Sequence, residues 1–82
     1  MCWVITVSQY GYTGRHRWQI GPVPVGVAAT EQAARALVTE HGTGVGCYLD
    51  DWEVQKVAGE VVSVGLEGDD VEVVATRWEV KT

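Results

Sequence analysis

The 82-residue chain has no phenylalanine, no asparagine, one methionine, two prolines and two cysteines. Two cysteines cannot build a disulfide framework, so the fold is expected to hold by packing in a reduced, cytoplasmic setting. No apolar run approaches the ~20 residues of a membrane span. The opening Met1-Cys2-Trp3-Val4-Ile5-Thr6-Val7 has no basic leader of the kind a secretory signal carries. Positive charge is scarce as well: six Lys and Arg stand against eleven Asp and Glu, a net charge of −5. That balance excludes a wholly basic nucleic-acid footprint, and nucleic acid is not expected as a partner. The glycines match neither a phosphate loop nor a dinucleotide fingerprint. No nucleophile elbow or zinc-protease helix is present either. No catalytic residue, metal or cofactor is therefore expected, and the chain reads as a non-enzyme.

What is present is valine and tryptophan. Sixteen valines and four tryptophans tilt a chain that is 46% hydrophobic and 21% charged toward sheet. The length fits one domain spanning residues 1–82. A single segment, residues 30–41, reads as a helix. Thr30 can cap it, Glu31 meets the positive end of the helix dipole, and Glu31 and Arg35 are spaced as an i,i+4 pair. Ala33, Ala34, Leu37, Val38 and His41 share one face at helical spacing, and Gly42 is placed to close the last turn. A flexible connection is expected over residues 42–46.

The remaining segments read as extended. Residues 2–8 alternate as a strand with both faces fairly apolar. A loop over residues 9–14 leads to a second strand, which Gly21-Pro22-Val23-Pro24 interrupts at an edge or bend. Strand signals return at residues 47–49 and 52–57, with Asp50-Asp51 as a bulge or turn. Ala58-Gly59-Glu60 makes a tight turn before a strand over residues 60–66, where Val62, Val64 and Leu66 share a face. Glu67-Gly68-Asp69-Asp70 is a further turn signal, and residues 71–81 form the last strand. The fold class is α+β: one largely antiparallel sheet of four to five strands with a single helix on one face, in the order β-β-α-β-β-β. Each tryptophan opens a Trp-x-Ile/Val triplet, so the four rings are candidates for a hydrophobic floor under the helix, the alternative being that one or two are exposed as a binding platform. The far face of the sheet is left uncovered, which makes a homodimer an expectation.

Two residue sets are candidate sites. Tyr10, Tyr12, Arg15, His16, Arg17 and Trp18 form a basic cluster interleaved with aromatics. Guanidinium forks and stacking rings suit an anionic small molecule or nucleotide. Asp50, Asp51, Glu53, Glu72 and Glu79 supply an acidic surface that suits a protein partner, with Glu53, Glu72 and Glu79 ordered on strands. Cys2, His16, His41 and Cys47 are metal-ligating types, but their spacing fits none of the usual ligand pairs.

The run Val-Gly-Val-Ala-Ala-Thr-Glu-Gln-Ala-Ala-Arg-Ala-Leu, followed by Tyr-Leu-Asp-Asp-Trp-Glu-Val, resembles small uncharacterised single-domain proteins of actinobacteria and their phages. The abundance of Val, Gly and Ala, with no Asn or Phe, is what a GC-rich coding source produces. The resemblance covers roughly residues 2–57 and implies an accessory role, with no catalytic residues.

Overall fold

A computed structural model describes residues 2–78. Its elements are β1 (Cys2–Thr13), β2 (His16–Ala28), α1 (Glu31–Val45), β3 (Glu53–Val57), β4 (Glu60–Glu67) and β5 (Val71–Trp78). The strands form one sheet in the order β2-β1-β5-β4-β3, and every neighbouring pair is antiparallel. This is the α+β arrangement expected from the sequence. A hairpin of β1 and β2 occupies one side and a β3–β4–β5 meander the other. The helix carries the chain across one face between the two outer strands.

The helix begins where its cap predicts. Thr30 is extended, and its Oγ1 accepts from the Ala33 N–H at 3.1 Å. Arg35 Nε reaches Glu31 at 3.2 Å. The end differs from expectation. Gly42 does not close the helix, which runs on through Gly44 to Val45 and is capped by left-handed Gly46 at φ 84°. Gly42 is instead a close-approach residue. A Cβ there would lie 3.3 Å from Cys47 Cβ and 3.4 Å from Leu66 Cδ1, so the bare backbone lets the last turns rest on the sheet. The buried stripe is Ala34, Val38 and Gly42, with Leu37 packed at its margin; Ala33, expected on that face, is exposed.

Against the stripe lie Trp3, Ile5, Val64, Leu66, Val73 and Ala75, all buried. The four-tryptophan floor is not what forms. Trp3 is 3% exposed, and Trp52 packs at the core margin under the Arg35 guanidinium, 5.1 Å from its ring. Trp18 and Trp78 face solvent. One register detail also departs from simple alternation. Gln55 pairs with Ser63 while Lys56 pairs with Val61, so Val62 is an extra, bulged residue. A bulge shifts side-chain parity by one. Val61 therefore joins the core side with Val64 and Leu66, and Val62 lines the opposite face.

Two further segments behave differently from their expectation. Residues 47–51 are not strand; they carry the chain from the helix cap to β3. Residues 21–24 do not break β2, although they do lie on an outer strand as proline requires. The ladder absorbs them as irregularities: Val7 pairs with Val23 and Gln9 with Ile20, and a second shift leaves Val25 between the partners of Ile5 and Thr6. Glu79 and Val80, assigned to the last strand and the fourth tryptophan triplet, lie outside the described residues.

Candidate interaction surface

The β1–β2 hairpin is longer than the sheet it belongs to. Pairing of β1 with β5 ends at Gln9 opposite Val71, and the Tyr10 N–H makes the last tie to the body, at Asp70 O, 2.8 Å. Beyond that point Tyr10, Gly11, Tyr12 and Thr13 pair only with Gln19, Trp18, Arg17 and His16. The segment expected as a loop over residues 9–14 is thus the outer half of a two-stranded arm, turning at Gly14-Arg15, where Gly14 has φ 61°. The chain measures 45 × 27 × 23 Å with a radius of gyration of 13.3 Å, above the about 12 Å of a compact domain this size.

Period-two alternation sorts the arm's side chains. Tyr10 and Tyr12 follow Thr6 and Ser8 onto the face away from the helix, and Arg17 pairs directly with Tyr12. The Arg17 guanidinium lies over the Tyr10 ring, 4.9 Å from its centroid. Trp18 belongs to the other side. It covers Gly11 on the neighbouring strand so closely that a Cβ on Gly11 would clash with the indole Cζ2. The six predicted cluster residues do share one arm, but Trp18 does not stand with Arg17 and the tyrosines, and Arg15 sits in the turn.

The face opposite α1 carries no described element. Its cross-strand rows run Val27–Val4–Thr76–Ser63–Gln55 and Pro24–Thr6–Val74–Gly65–Glu53. A third row, Ser8–Glu72–Glu67, lies at the arm end. A shallow groove of about 340 Å³ follows this face, lined by Glu53, Val62, Ser63, Glu72, Val74 and Thr76 among others. Three carboxylates on three adjacent strands thus sit close together. Glu53 is held above its ordinary carboxylate value, chiefly by the charge of Glu67, then by partial desolvation, a hydrogen bond shared with Glu67, and Glu72. Tyr10, Tyr12 and Arg17 border a neighbouring cleft whose other walls are Glu67, Asp69, Asp70 and Glu72.

Of the predicted acidic set, the structure brings Glu53 and Glu72 together on the bare face. Asp50 and Asp51 are exposed in the turn before β3 and do not join them, and Glu79 lies outside the described residues. Glu67 is one of the acidic residues of the sequence, but Glu67-Gly68-Asp69-Asp70 reads as a turn rather than as the end of a strand. It is in fact the last residue of β4, directly opposite Glu72. The Gly68 N–H donates to Val71 O at 2.8 Å, which centres the turn on Asp69-Asp70 and makes Glu67 and Glu72 strand partners.

Cys47 is buried, with its thiol donating toward Leu66 O at 3.7 Å, and burial pushes its pKa up. A thiol held protonated in the core is a packing group rather than a nucleophile. Cys2 and Cys47 are both free, and no group of three or more His, Cys, Asp or Glu among the described residues is placed to hold a metal ion. No described helix is long and apolar enough to cross a membrane. Comparison with protein-family models, with curated proteins and with solved structures finds no match. Nothing in the site or in these comparisons indicates an enzyme activity.

Proposed function

We propose that this chain is a small non-enzymatic interaction module that binds a protein partner through the β1–β2 hairpin and the adjoining bare face. One observation carries the proposal. The outer strand β2 exposes Trp18, Ile20, Val23, Val25 and Val27, a concentration of apolar side chains that the rest of the described surface does not match. By register Trp18, Ile20 and Val23 stand on the helix side and Val27 on the bare face, so the strand offers apolar side chains on both faces, and such exposed apolar surface on a small domain marks contact with another macromolecule. The prolines at 22 and 24 suit this use. They remove ladder donors from the open edge and so favour side-chain contact over strand addition. An accessory role in the cytoplasm of an actinobacterium, or of one infected by a phage, is part of the same proposal.

A photo-crosslinking residue placed at Ile20 or Val27 tests it. The expected result is a crosslink into a second polypeptide, lost when Trp18, Ile20 and Val23 are changed to serine with the fold intact by circular dichroism. A folded chain that crosslinks to no polypeptide in a source-cell extract would refute it.

Arg15 and Arg17 form no ion pair among the described residues, which favours a second reading, an anionic small molecule or nucleotide held by Tyr10, Tyr12, Arg15, His16, Arg17 and Trp18. Four carboxylates in the cleft beside Arg17 oppose it, since an anion there meets net negative charge. A thermal-shift screen with nucleoside phosphates separates the two. A stabilisation abolished by Arg15→Ala plus Arg17→Ala would favour the ligand.

A further inference from the structure

The described ion pairs are Arg35 with Glu31 and Arg77 with Glu60. Arg15 and Arg17 on the arm form none, and neither do Glu53, Glu67 and Glu72 on the bare face. The molecule therefore displays a basic arm and an acidic face, both unneutralised. Cross-strand like charges are unfavourable, so the carboxylate group gains from a cation placed over it. The chain's own arm brings Arg17 only to the edge of the cleft that Glu67 and Glu72 share, without an ion pair to either and away from Glu53. It extends in line with β1, and Arg17 turns to the Tyr10 ring.

We propose that the face opposite α1 is covered by a second copy of this chain, related by a two-fold axis. The arm of each copy, with Arg15, Arg17 and Tyr12, lies across the Glu53, Glu67 and Glu72 face of the other. This arrangement rests on the interaction-module reading and names its partner. A two-fold contact is self-complementary, so one patch holding both charge signs satisfies both copies at once.

The surface suits face-to-face packing. Val4, Thr6, Val74 and Thr76 are short and branched. Gly65 has no side chain, and Val74 leans over it: a Cβ there would lie 3.1 Å from Val74 Cγ2. The result is a flat face of the kind that stacks on another sheet. Five strands spaced about 4.8 Å apart and about 8 residues long span roughly 600–700 Å² in projection. With the arm added, this approaches the about 800 Å² per partner of a standard stable interface.

Sedimentation equilibrium on two charge-reversal variants provides the test. One carries Glu53→Lys and Glu72→Lys; the other carries Arg15→Glu and Arg17→Glu. The wild-type chain is expected to dimerise, more weakly as salt rises. Each variant alone should dimerise at least about tenfold more weakly, and an equimolar mixture should recover a heterodimer, because both contacts are again of opposite sign. All four positions are on the surface, and circular dichroism verifies that both variants fold. Three outcomes would overturn the proposal: a wild-type chain that stays monomeric at its solubility limit, a dimer indifferent to both reversals, or a mixture that fails to recover. None of these removes the interaction module itself, which falls only if the crosslinking positions on β2 find no polypeptide at all.

Discussion

The β1–β2 hairpin and the β3–β4–β5 meander are made of similar valine-rich strands, yet they differ in what their side chains meet. On the meander, Val64, Leu66, Val73 and Ala75 are buried under α1. On β2, Ala28 alone is buried, and Ile20, Val23, Val25 and Val27 are exposed. The helix explains the difference. Its small-residue stripe of Ala34, Val38 and Gly42 can come close to only part of the sheet, and its bulkier Leu37 reaches β2 over the bare backbone of Gly26. The meander is thus held by packing, whereas the outer strand is held mainly by its ladder to β1. A strand of the second kind is free to present apolar side chains without weakening the core.

Truncation should expose this asymmetry. Leu66→Ala removes a fully buried side chain that touches the helix at Gly42 and should cost about 2–5 kcal/mol in chemical denaturation. Ile20→Ala, on the exposed strand, should stay within about 0.5 kcal/mol. Comparable losses at the two sites would mean that the arm is part of the core, and the contrast would be lost. The cap comes next in size. Thr30→Ala removes the acceptor for the Ala33 N–H and should cost about 1 kcal/mol, read as a lowered midpoint with an unchanged denaturant slope.

A smaller effect sharpens the description of the arm. Gly11→Val places a side chain where the Trp18 ring now lies. The indole should swing into water, red-shifting its share of the fluorescence, at a cost of about 0.5–1 kcal/mol. An unchanged emission spectrum would show that Trp18 does not lie across β1.

These positions also show which parts of the fold are legible from local sequence. Thr30 announces the start of the helix because capping is decided within four residues. The end is not legible in this way. Gly42, Gly44 and Gly46 all look competent to stop a helix, and the close packing of Gly42 against Leu66, a residue distant in sequence, is not visible locally. Tyr10-Gly11-Tyr12-Thr13-Gly14 resembles a loop for a related reason: Gly11 is there to admit a ring from the opposite strand. Alternation puts Val62 on the face of Val64 and Leu66, because a bulge is invisible to it. The basic and acidic side chains were both recognisable as sets. Their grouping was only partly so, since Trp18 parts from Arg17 by strand parity and Glu67 enters through hairpin register.

The smallest expected effect bears on the acidic face, and its sign distinguishes the two halves once more. Because its neighbours raise its folded-state pKa, Glu53 binds a proton more readily folded than unfolded. For a carboxyl shifted that way, stability falls as pH rises through the carboxylate range, and the loss is complete above the folded value. Glu53→Gln should therefore stabilise the dilute chain at about pH 7 by a few tenths of a kcal/mol, the scale of a relieved like-charge pair on a sheet surface. The gain should vanish near about pH 3, where the carboxyls of both states are largely protonated. The same substitution should weaken association at neutral pH, since it removes one anion from beneath the incoming arm. Thermal melts at both pH values, run beside sedimentation, separate these opposite signs. A variant that neither gains stability when dilute nor loses affinity when concentrated would show that the carboxylates on this face are fully hydrated and independent of one another.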